Sequence, residues 1–146
     1  MSGAESARRV IAAVHLGVSI LVAATFVTPG LAEADHLASV TVIDAEQLKR
    51  WIDAGKPMTL VDSRVAAEYK TGHIPTAVNI LAAAMERERA RLPGNKSVVL
   101  VFYCNGWPEC KKSHEAASKA VEWGYQNVFW LRDGLPVWQA KGYPVE

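Results

Sequence analysis

One unbroken apolar run, SVVLVFY at residues 97–103, constrains the fold of this chain more than any other feature. The run does not alternate between apolar and polar residues. A strand formed from it therefore needs cover on both faces, as a central strand of a parallel sheet has. Shorter β-branched or apolar runs occur before and after it. They predict further strands at residues 39–43, 58–62, 77–80 and 127–131.

Helical patterns lie between the predicted strands. Asp44, with Gln47 three residues later, has the spacing of a capping box at the start of a helix. Leu48, Trp51 and Ile52 fall on one face of that helix. Further helices are predicted at residues 66–70, 81–92, 113–123 and 135–140. Because strands alternate with helices, we predict an α/β fold with an open parallel sheet and helices on both faces.

The overall composition fits one packed domain. The chain has 146 residues, of which 50% are hydrophobic and 21% are charged. These values are typical of a single globular domain. The formal net charge is only +1, and the sequence contains no basic stripe with interleaved aromatic residues. We therefore expect no nucleic-acid partner.

The N-terminal segment, residues 1–34, differs in character from the rest of the chain. Arg8 and Arg9 precede an apolar stretch at residues 10–27, and an A-x-A pattern follows it. This order is typical of an export signal, with cleavage at the end of the segment, although an uncleaved membrane anchor or a buried helix also fits. In the first two cases residues 35–146 form a single domain outside the cytoplasm, in the periplasm for a bacterial host. Membrane contact is expected only if the segment stays uncleaved.

Both cysteines of the chain lie in one short loop. Cys104 follows the predicted central strand directly, and Cys110 comes six residues later. In parallel sheets, ligands bind beyond the carboxyl ends of the strands. The loop leads into a predicted helix whose first N–H groups favour a nearby negative charge, and Lys111 and Lys112 add positive charge. We therefore expect Cys104 to be a thiolate nucleophile in a cradle made by the amides of residues 105–110.

The spacing of these cysteines leaves three interpretations open. In an exported protein, two cysteines commonly form a structural disulfide. A bridge between residues so close in sequence closes only a small loop, gains little entropic stabilisation and is more labile than a structural one, so a reactive thiol pair is the second interpretation. A site for a soft metal such as Cu(I) is the third interpretation.

Three ordered stretches resemble the rhodanese family, the sulfurtransferases that carry sulfur as a cysteine persulfide. LVDSRVAAEYKTGHIPTAVNI at residues 60–80 is similar to the D-x-R…E-[YF]…G-H-I-P-G-A-x-N-I signature, with Thr76 in place of a glycine. VVLVFYC matches the strand that ends in the active cysteine. VFWLRDGLPVWQAKGYPVE at residues 128–146 is similar to the closing element of the family, with Asp133 in place of a glycine. The resemblance covers nearly everything after Ser39.

The resemblance implies a rhodanese-like five-stranded parallel sheet and makes Cys104 the persulfide-bearing nucleophile. The active loop departs from the common C-x-x-G-x-R-S pattern, because it is longer and has no arginine. It resembles the less common C-N-G-x-x-C-x-x-S variant of some exported bacterial proteins. Without a guanidinium fork, the two lysines are only point charges for an anion. The expected substrate-binding loop consists of Asn105, Gly106, Trp107, Pro108, Glu109, Lys111, Lys112 and Ser113.

Cys110 gives the loop a second half-reaction. A thiolate attacks a neighbouring sulfur and displaces the group bound to it, so Cys110 is a candidate resolving thiol for a persulfide on Cys104. Without substrate, the pair can form a reversible bridge that protects Cys104 from over-oxidation. Cysteine phosphatase chemistry needs C-x5-R and is disfavoured, because the sixth residue after Cys104 is Cys110.

Four residues outside the loop also have candidate roles. The resemblance gives His73 a structural role in which its ring ties down a turn. Asp62 and Arg64 are expected to orient the turn after their strand through hydrogen bonds or an ion pair. Arg132 follows the last strand, on the same side of the sheet as the cysteine loop. It either lines the pocket or forms a surface salt bridge.

The sequence therefore predicts a sulfurtransferase. Sulfane sulfur would pass from a small anionic donor such as thiosulfate, through a persulfide on Cys104, to a thiol or other nucleophilic acceptor. We expect no cofactor and no bound metal for this function. The alternative is a non-catalytic rhodanese-fold module that uses Cys104 and Cys110 for redox chemistry or soft-metal binding. A partner protein in the periplasm is compatible with both the sulfurtransferase and the non-catalytic module.

Overall fold

A computed structural model describes residues 39–146 of the protein. This part of the chain contains the strands β1 (Thr41–Ile43), β2 (Thr59–Asp62), β3 (Val78–Asn79), β4 (Val99–Tyr103) and β5 (Asn127–Leu131). Neighbouring strands are all parallel and follow the order β1-β5-β4-β2-β3. The predicted five-stranded parallel sheet is confirmed, and β4, formed from the apolar run, lies at its centre.

Helices cover both faces of the sheet, as predicted. Within residues 39–146 they are α1 (Ala45–Asp53), α2 (Ala66–Lys70), α3 (Lys112–Glu122) and α4 (Gly134–Ala140). Side chains of α1 and α4 pack with Val101 and Tyr103 on one face of the sheet. Alanines of α3 pack with Leu100 and Phe102 on the other face. Alternate side chains of β4 therefore enter two separate hydrophobic cores.

The start of α1 agrees with its predicted capping box only in part. The Asp44 carboxylate accepts a hydrogen bond from the Gln47 amide at 2.7 Å. The side-chain oxygen of Gln47, however, accepts a hydrogen bond from Arg50 at 2.9 Å. The box is half formed because a basic side chain one turn further on competes for that oxygen. Leu48 is buried and Trp51 packs against the same core, as their shared face predicts.

The helix predicted at residues 81–92 is wrong. The structure has two separate 3₁₀ turns there, Ala82–Ala84 and Arg89–Arg91. Met85 and Leu92 are buried, but the residues between them are charged or exposed. An α-helix over this segment would have no continuous apolar face to bury against the sheet.

A buried ion pair closes the end of β2. Arg64 donates to both carboxylate oxygens of Asp62, through Nε at 3.0 Å and through Nη2 at 2.6 Å. Nη2 also donates to the Gly72 carbonyl oxygen at 2.7 Å. Burial acts to lower the pKa of Arg64, but the hydrogen bonds and charge of Asp62 outweigh burial and raise that pKa above its ordinary value. The charged pair thus ties the end of β2 to the turn before β3.

His73 holds the same turn from the other side. Its Nδ1 atom lies 3.0 Å from the Tyr69 carbonyl oxygen, and its ring stacks on the Tyr69 ring with centroids 3.7 Å apart. Its backbone exchanges two hydrogen bonds with Glu146. The Tyr103 hydroxyl, at the end of β4, accepts a hydrogen bond from the Ile74 amide at 3.1 Å. Burial is the main cause that raises the pKa of Tyr103 far above its ordinary value, so this hydroxyl stays neutral.

The predicted export signal or anchor at residues 1–34 lies outside the described residues. Of the helices within 39–146, none is long and apolar enough to cross a membrane. The strands and helices named above all belong to one compact unit, Asp35–Glu146.

Thr76 stands where the family signature has a glycine, and its backbone has a φ of 69°. This left-handed conformation is unfavourable for a β-branched residue. The Thr76 side chain is exposed, so its removal loses little packing. We predict that Thr76→Gly raises the free energy of unfolding by about 1 kcal/mol, because glycine adopts this conformation without strain.

Chemical denaturation followed by circular dichroism measures this change. Thr76→Ala serves as the matched control and should be stabilised less than Thr76→Gly, since alanine keeps the Cβ atom. A Thr76→Gly protein that is less stable than the wild type contradicts the prediction.

Candidate active site

The carboxyl end of β4 leads directly into the cysteine pair. Cys104 is 1% exposed, whereas Cys110 is partly exposed. Their sulfur atoms form a disulfide, with the two Cα atoms 6.5 Å apart. The bridge that the spacing left as one of three interpretations is therefore present in this structure. It also shows that the Cys110 sulfur reaches the Cys104 sulfur within the folded domain.

Ser113, in the first turn of α3, contacts the buried sulfur. Its hydroxyl oxygen lies 3.0 Å from the Cys104 sulfur and 2.9 Å from the indole nitrogen of Trp130. An indole N–H only donates, so the Ser113 oxygen accepts from Trp130, and its single hydrogen is left for Cys104. A hydroxyl that donates to sulfur favours the thiolate. Ser113 and Trp130 are both buried, so water does not compete for these bonds.

Two glycines allow the loops after β4 and β5 to touch. Gly106 has a φ of 89° and Gly134 has a φ of 63°. A Cβ atom added to Gly134 would collide with the Cys104 carbonyl oxygen, and one added to Gly106 would collide with the Asp133 carbonyl oxygen. The Cys104 carbonyl oxygen also accepts a hydrogen bond from the Leu135 amide at 3.0 Å. Contact with the β5 loop therefore fixes the direction in which the chain leaves Cys104.

The predicted cradle of amides from residues 105–110 is partly engaged by backbone carbonyl groups in this oxidised state. The amides of Trp107 and Cys110 donate to backbone carbonyl oxygens at 2.9 and 2.8 Å. Pro108 has no N–H to donate. These two amides are therefore not available to an anion in this state. The Ser113 hydroxyl and the positive end of the α3 dipole both favour a Cys104 thiolate.

A cavity of about 60 Å³ lies beside the disulfide, and we call it the cysteine cavity. Its lining residues are Ser63, Arg64, Val65, Glu68, Leu81, Cys104, Asn105, Cys110 and Lys112. The hydroxyl of Ser63 is buried and has no hydrogen-bond partner among the residues that the structure describes. A buried polar group without a partner is uncommon. It indicates a position for a ligand atom or an ordered water.

The polar groups that line the cysteine cavity differ in whether other side chains already pair with them. Arg64 lines the cavity, but its Nε and Nη2 atoms donate to Asp62. The Asn105 amide donates to the Glu68 carboxylate at 2.8 Å. Lys112 also lines the cavity and is not engaged in an ion pair in the described part of the chain. Lys112 therefore supplies the available positive charge beside the cysteines.

Two residues of the predicted substrate loop face away from the cysteine cavity. Trp107 is 49% exposed, and the Lys111 ammonium lies 4.9 Å from the centre of its indole ring. Together with His114 and Trp130 they line a separate surface groove of about 260 Å³. The loop thus presents the cysteines to one side and an aromatic groove to the other.

Three other predicted residues also lie outside the cysteine cavity. Pro108 and Glu109 are exposed and line neither the cavity nor the aromatic groove. The Arg132 side chain is 51% exposed and pairs with the Asp133 carboxylate at 3.1 Å. Of the two interpretations left open for Arg132, the structure shows the surface salt bridge.

Sequence analysis did not find Ser63, Glu68 or Trp130. Ser63 is the variable position of the D-x-R motif and comes directly after β2, so the rule that ligands bind beyond strand ends contained the signal. Glu68 matches the family signature, but only the fold brings it to Asn105. Trp130 has the pattern of a core strand residue, and nothing local pairs its indole with a serine on α3.

The metal interpretation receives little geometric support. No group of three or more His, Cys, Asp or Glu side chains is gathered closely enough to hold a metal ion anywhere in residues 39–146. A soft ion held by Cys104 and Cys110 alone requires the reduced pair, because the disulfide leaves no thiolate to bind it.

Comparison with known proteins identifies the family. A model of the rhodanese-like domain matches residues 44–141. The solution NMR structure of the rhodanese-like domain from the Alr3790 protein of Anabaena sp. is similar, with a TM-score of 0.63 and 28% identity over 74% of this chain and 80% of that chain. The chain belongs to the rhodanese-like domain family, and the resemblance carried by its motifs is confirmed.

The relatives within this family have different names. A sulfurtransferase of Allochromatium vinosum is 29% identical over 106 residues, which cover 73% of this chain and 94% of that protein. The HTH-type transcriptional regulator Rv0324 of Mycobacterium tuberculosis is 36% identical over 124 residues, or 77% of this chain and 53% of the regulator. The chain spans about half the length of that regulator. Family membership alone therefore does not fix one reaction.

The contact from Trp130 through Ser113 to Cys104 predicts the reactivity of the reduced thiol. In a reduced Cys110→Ser background, Ser113→Ala should lower the rate of Cys104 alkylation by iodoacetamide at neutral pH by about tenfold, because the thiolate loses a charge-assisted hydrogen bond. Trp130→Phe should lower the rate by about threefold, since the Ser113 hydroxyl is then free to turn away.

Trp123→Phe is the matched control for this measurement. The Trp123 indole lies at the end of α3, away from Ser113, and its replacement should leave the alkylation rate unchanged. A Trp130→Phe protein that reacts as fast as the wild-type background contradicts the positioning role of Trp130.

Proposed function

We propose that this protein is a sulfurtransferase whose nucleophile is Cys104. In the reduced protein, the Cys104 thiolate attacks the sulfane sulfur of an anionic donor such as thiosulfate. The S–S bond of the donor breaks, and sulfite leaves with the electron pair. The sulfur stays on Cys104 as a persulfide until a thiol acceptor removes it. The Ser113 hydroxyl, 3.0 Å from the Cys104 sulfur, is the observation that carries this proposal.

Binding of the donor anion rests on a small set of groups. Lys112 supplies a positive charge at the cysteine cavity, and the amino end of α3 adds its dipole. The guanidinium of Arg64 is engaged with Asp62, and the loop itself has no arginine. A lysine attracts an anion without the two-point geometry that arginine provides. We therefore expect slower turnover of thiosulfate than a loop with an arginine would give.

The proposed setting of the reaction is an exported compartment, the periplasm for a bacterial host. Residues 1–34 have the order of an export signal, and a disulfide is compatible with oxidising surroundings. In that compartment the acceptor would be a small thiol or a thiol on a partner protein.

A second candidate function is a redox or soft-metal module without sulfur transfer. The observation that favours it is the disulfide itself, which buries Cys104 and leaves no free nucleophile until it is reduced. In this function the two cysteines would cycle between dithiol and disulfide, or would hold a soft ion such as Cu(I) when reduced.

Uptake of sulfur by the reduced protein distinguishes the two candidate functions. Reduced protein treated with thiosulfate should gain the mass of one sulfur atom, located on Cys104 by peptide mapping, because the thiolate displaces sulfite from the donor. The gain should persist in Cys110→Ser and disappear in Cys104→Ser. Absence of any gain in the reduced Cys110→Ser protein, together with tight copper binding, would favour the second candidate.

The two neighbouring lysines predict a difference in donor binding. Lys112→Ala should raise the KM for thiosulfate by about threefold, and more at low ionic strength, because an exposed charge contributes a modest and screened attraction. Lys111→Ala is the matched control, since its ammonium lies over the Trp107 ring in the aromatic groove. Equal effects of the two substitutions on KM would contradict the role given to Lys112.

A further inference from the structure

We propose that Cys110 resolves the persulfide on Cys104 within the same molecule and so releases sulfide. The protein would then act as a dithiol-dependent reductase of sulfane sulfur. This inference rests on the proposed function, because it begins with a persulfide on Cys104. Its first support is geometric: the two cysteine sulfurs are bonded in the folded domain, so the Cys110 thiolate comes within reach of the atom it would attack.

The proposed step exchanges one S–S bond for another. The Cys110 thiolate attacks the inner sulfur of the persulfide, which is the Sγ atom of Cys104, and a bond forms between the two cysteines. The bond between Cys104 and the outer sulfur breaks, and its electron pair leaves with the outer sulfur, which takes a proton from water to give hydrosulfide. The two cysteine thiols are oxidised to a disulfide, and the sulfane sulfur is reduced to sulfide.

The acidity of the departing group supports attack at the inner sulfur of the persulfide. Thiol–disulfide exchange is faster when the departing thiolate is the weaker base. Hydrogen sulfide is a stronger acid than an ordinary alkyl thiol, so hydrosulfide is a competent leaving group. Attack at the inner sulfur yields the bridge between Cys104 and Cys110 that the structure contains, whereas attack at the outer sulfur would only move the persulfide to Cys110.

The cysteine cavity offers a place for the outer sulfur. Both cysteines line it, and its volume of about 60 Å³ exceeds the space that a single water needs. The Ser63 hydroxyl, buried and without a partner in residues 39–146, can donate a hydrogen bond to a sulfur atom in this space. Lys112, on the same lining, offers a positive charge to the departing hydrosulfide. The groups that surround the cavity thus suit a small anionic sulfur species.

The two cysteines are unequally buried, and this difference determines which sulfur an external reductant attacks when it restores the two thiols. Cys104 is 1% exposed, whereas Cys110 is partly exposed, so an external thiolate reaches the Cys110 sulfur first. Its attack there forms a mixed disulfide with Cys110 and releases Cys104 as the thiolate beside the Ser113 hydroxyl. The second thiol of a dithiol reductant then frees Cys110 and leaves as the oxidised, cyclic disulfide. The co-substrate is therefore a dithiol, small or carried on a protein.

A single-turnover experiment on the full protein tests the inference. The protein is reduced with dithiothreitol, the reductant is removed without air, and one equivalent of thiosulfate is added. Sulfide, free thiols and protein mass are then followed with time. Wild-type protein should release one sulfide per molecule, lose both thiols and return to the unmodified oxidised mass. Cys110→Ser should keep the added sulfur on Cys104 and release sulfide at least about tenfold more slowly, because it lacks a thiol held at high effective concentration.

The outcomes separate the inference from the proposed function. If both proteins gain sulfur and the wild type holds it as long as Cys110→Ser does, the inference is overturned and the sulfurtransferase function stands. If the reduced Cys110→Ser protein gains no sulfur, the proposed function fails, and the inference fails with it. The wild-type sulfide and thiol counts decide the matter even if the variant does not fold.

Ser63→Ala tests the position assigned to the outer sulfur. This substitution should slow the release of sulfide from the persulfidated protein by about threefold, the loss expected for one modest hydrogen bond. Ser118→Ala, which changes a partly buried serine of α3 that does not line the cavity and whose hydroxyl donates to the His114 carbonyl oxygen, is the matched control and should release sulfide at the wild-type rate. An unchanged rate in Ser63→Ala overturns the role of Ser63 in holding the sulfur.

Discussion

Burial of β4 on both faces is the constraint on which the rest of the structure depends. Its alternate side chains enter two cores, one shared with α1 and α4 and the other with α3. A strand held in this way cannot shift or tilt, so Cys104, the next residue, has a fixed position at the carboxyl edge of the sheet. Contact between Gly106 and the loop after β5 then fixes the direction of the loop. The chemistry of the cysteine pair follows from that placement.

The environment of the Cys104 sulfur is built from side chains more than from loop amides. Two of the loop amides satisfy backbone carbonyl groups, and the contact to sulfur comes from Ser113, whose hydroxyl is oriented by the Trp130 indole. A hydroxyl placed by a second buried group is less adaptable than a flexible loop, because turning it away leaves the indole N–H unpaired. In the bridged state this arrangement places one hydrogen-bond donor at the Cys104 sulfur.

The cysteine loop differs from the common family pattern in the reactive and charged side chains that it contains. It has no arginine to grip an oxyanion, and Arg64 nearby is engaged with Asp62. It has instead a second cysteine within bonding distance of the first. These two differences favour the proposed reduction of a bound sulfane sulfur over rapid turnover of thiosulfate. The Ser63 hydroxyl, which has no hydrogen-bond partner within residues 39–146, is a further small polar group at the cysteine cavity.

The sequence by itself determined the parallel sheet, the central place of β4 and the position of Cys104 at its end, because apolar runs and ordered motifs are local signals. It failed at residues 81–92, where helix-forming residues lacked an apolar face to bury. It also did not show that the Trp107 amide is engaged by the Arg132 carbonyl group, because that partner lies on another loop. Only the tertiary structure decided the contacts of Ser113 with Trp130 and the cavity beside Ser63. These join strands and helices far apart in the chain, and no pattern along the sequence records which side chains the sheet brings together.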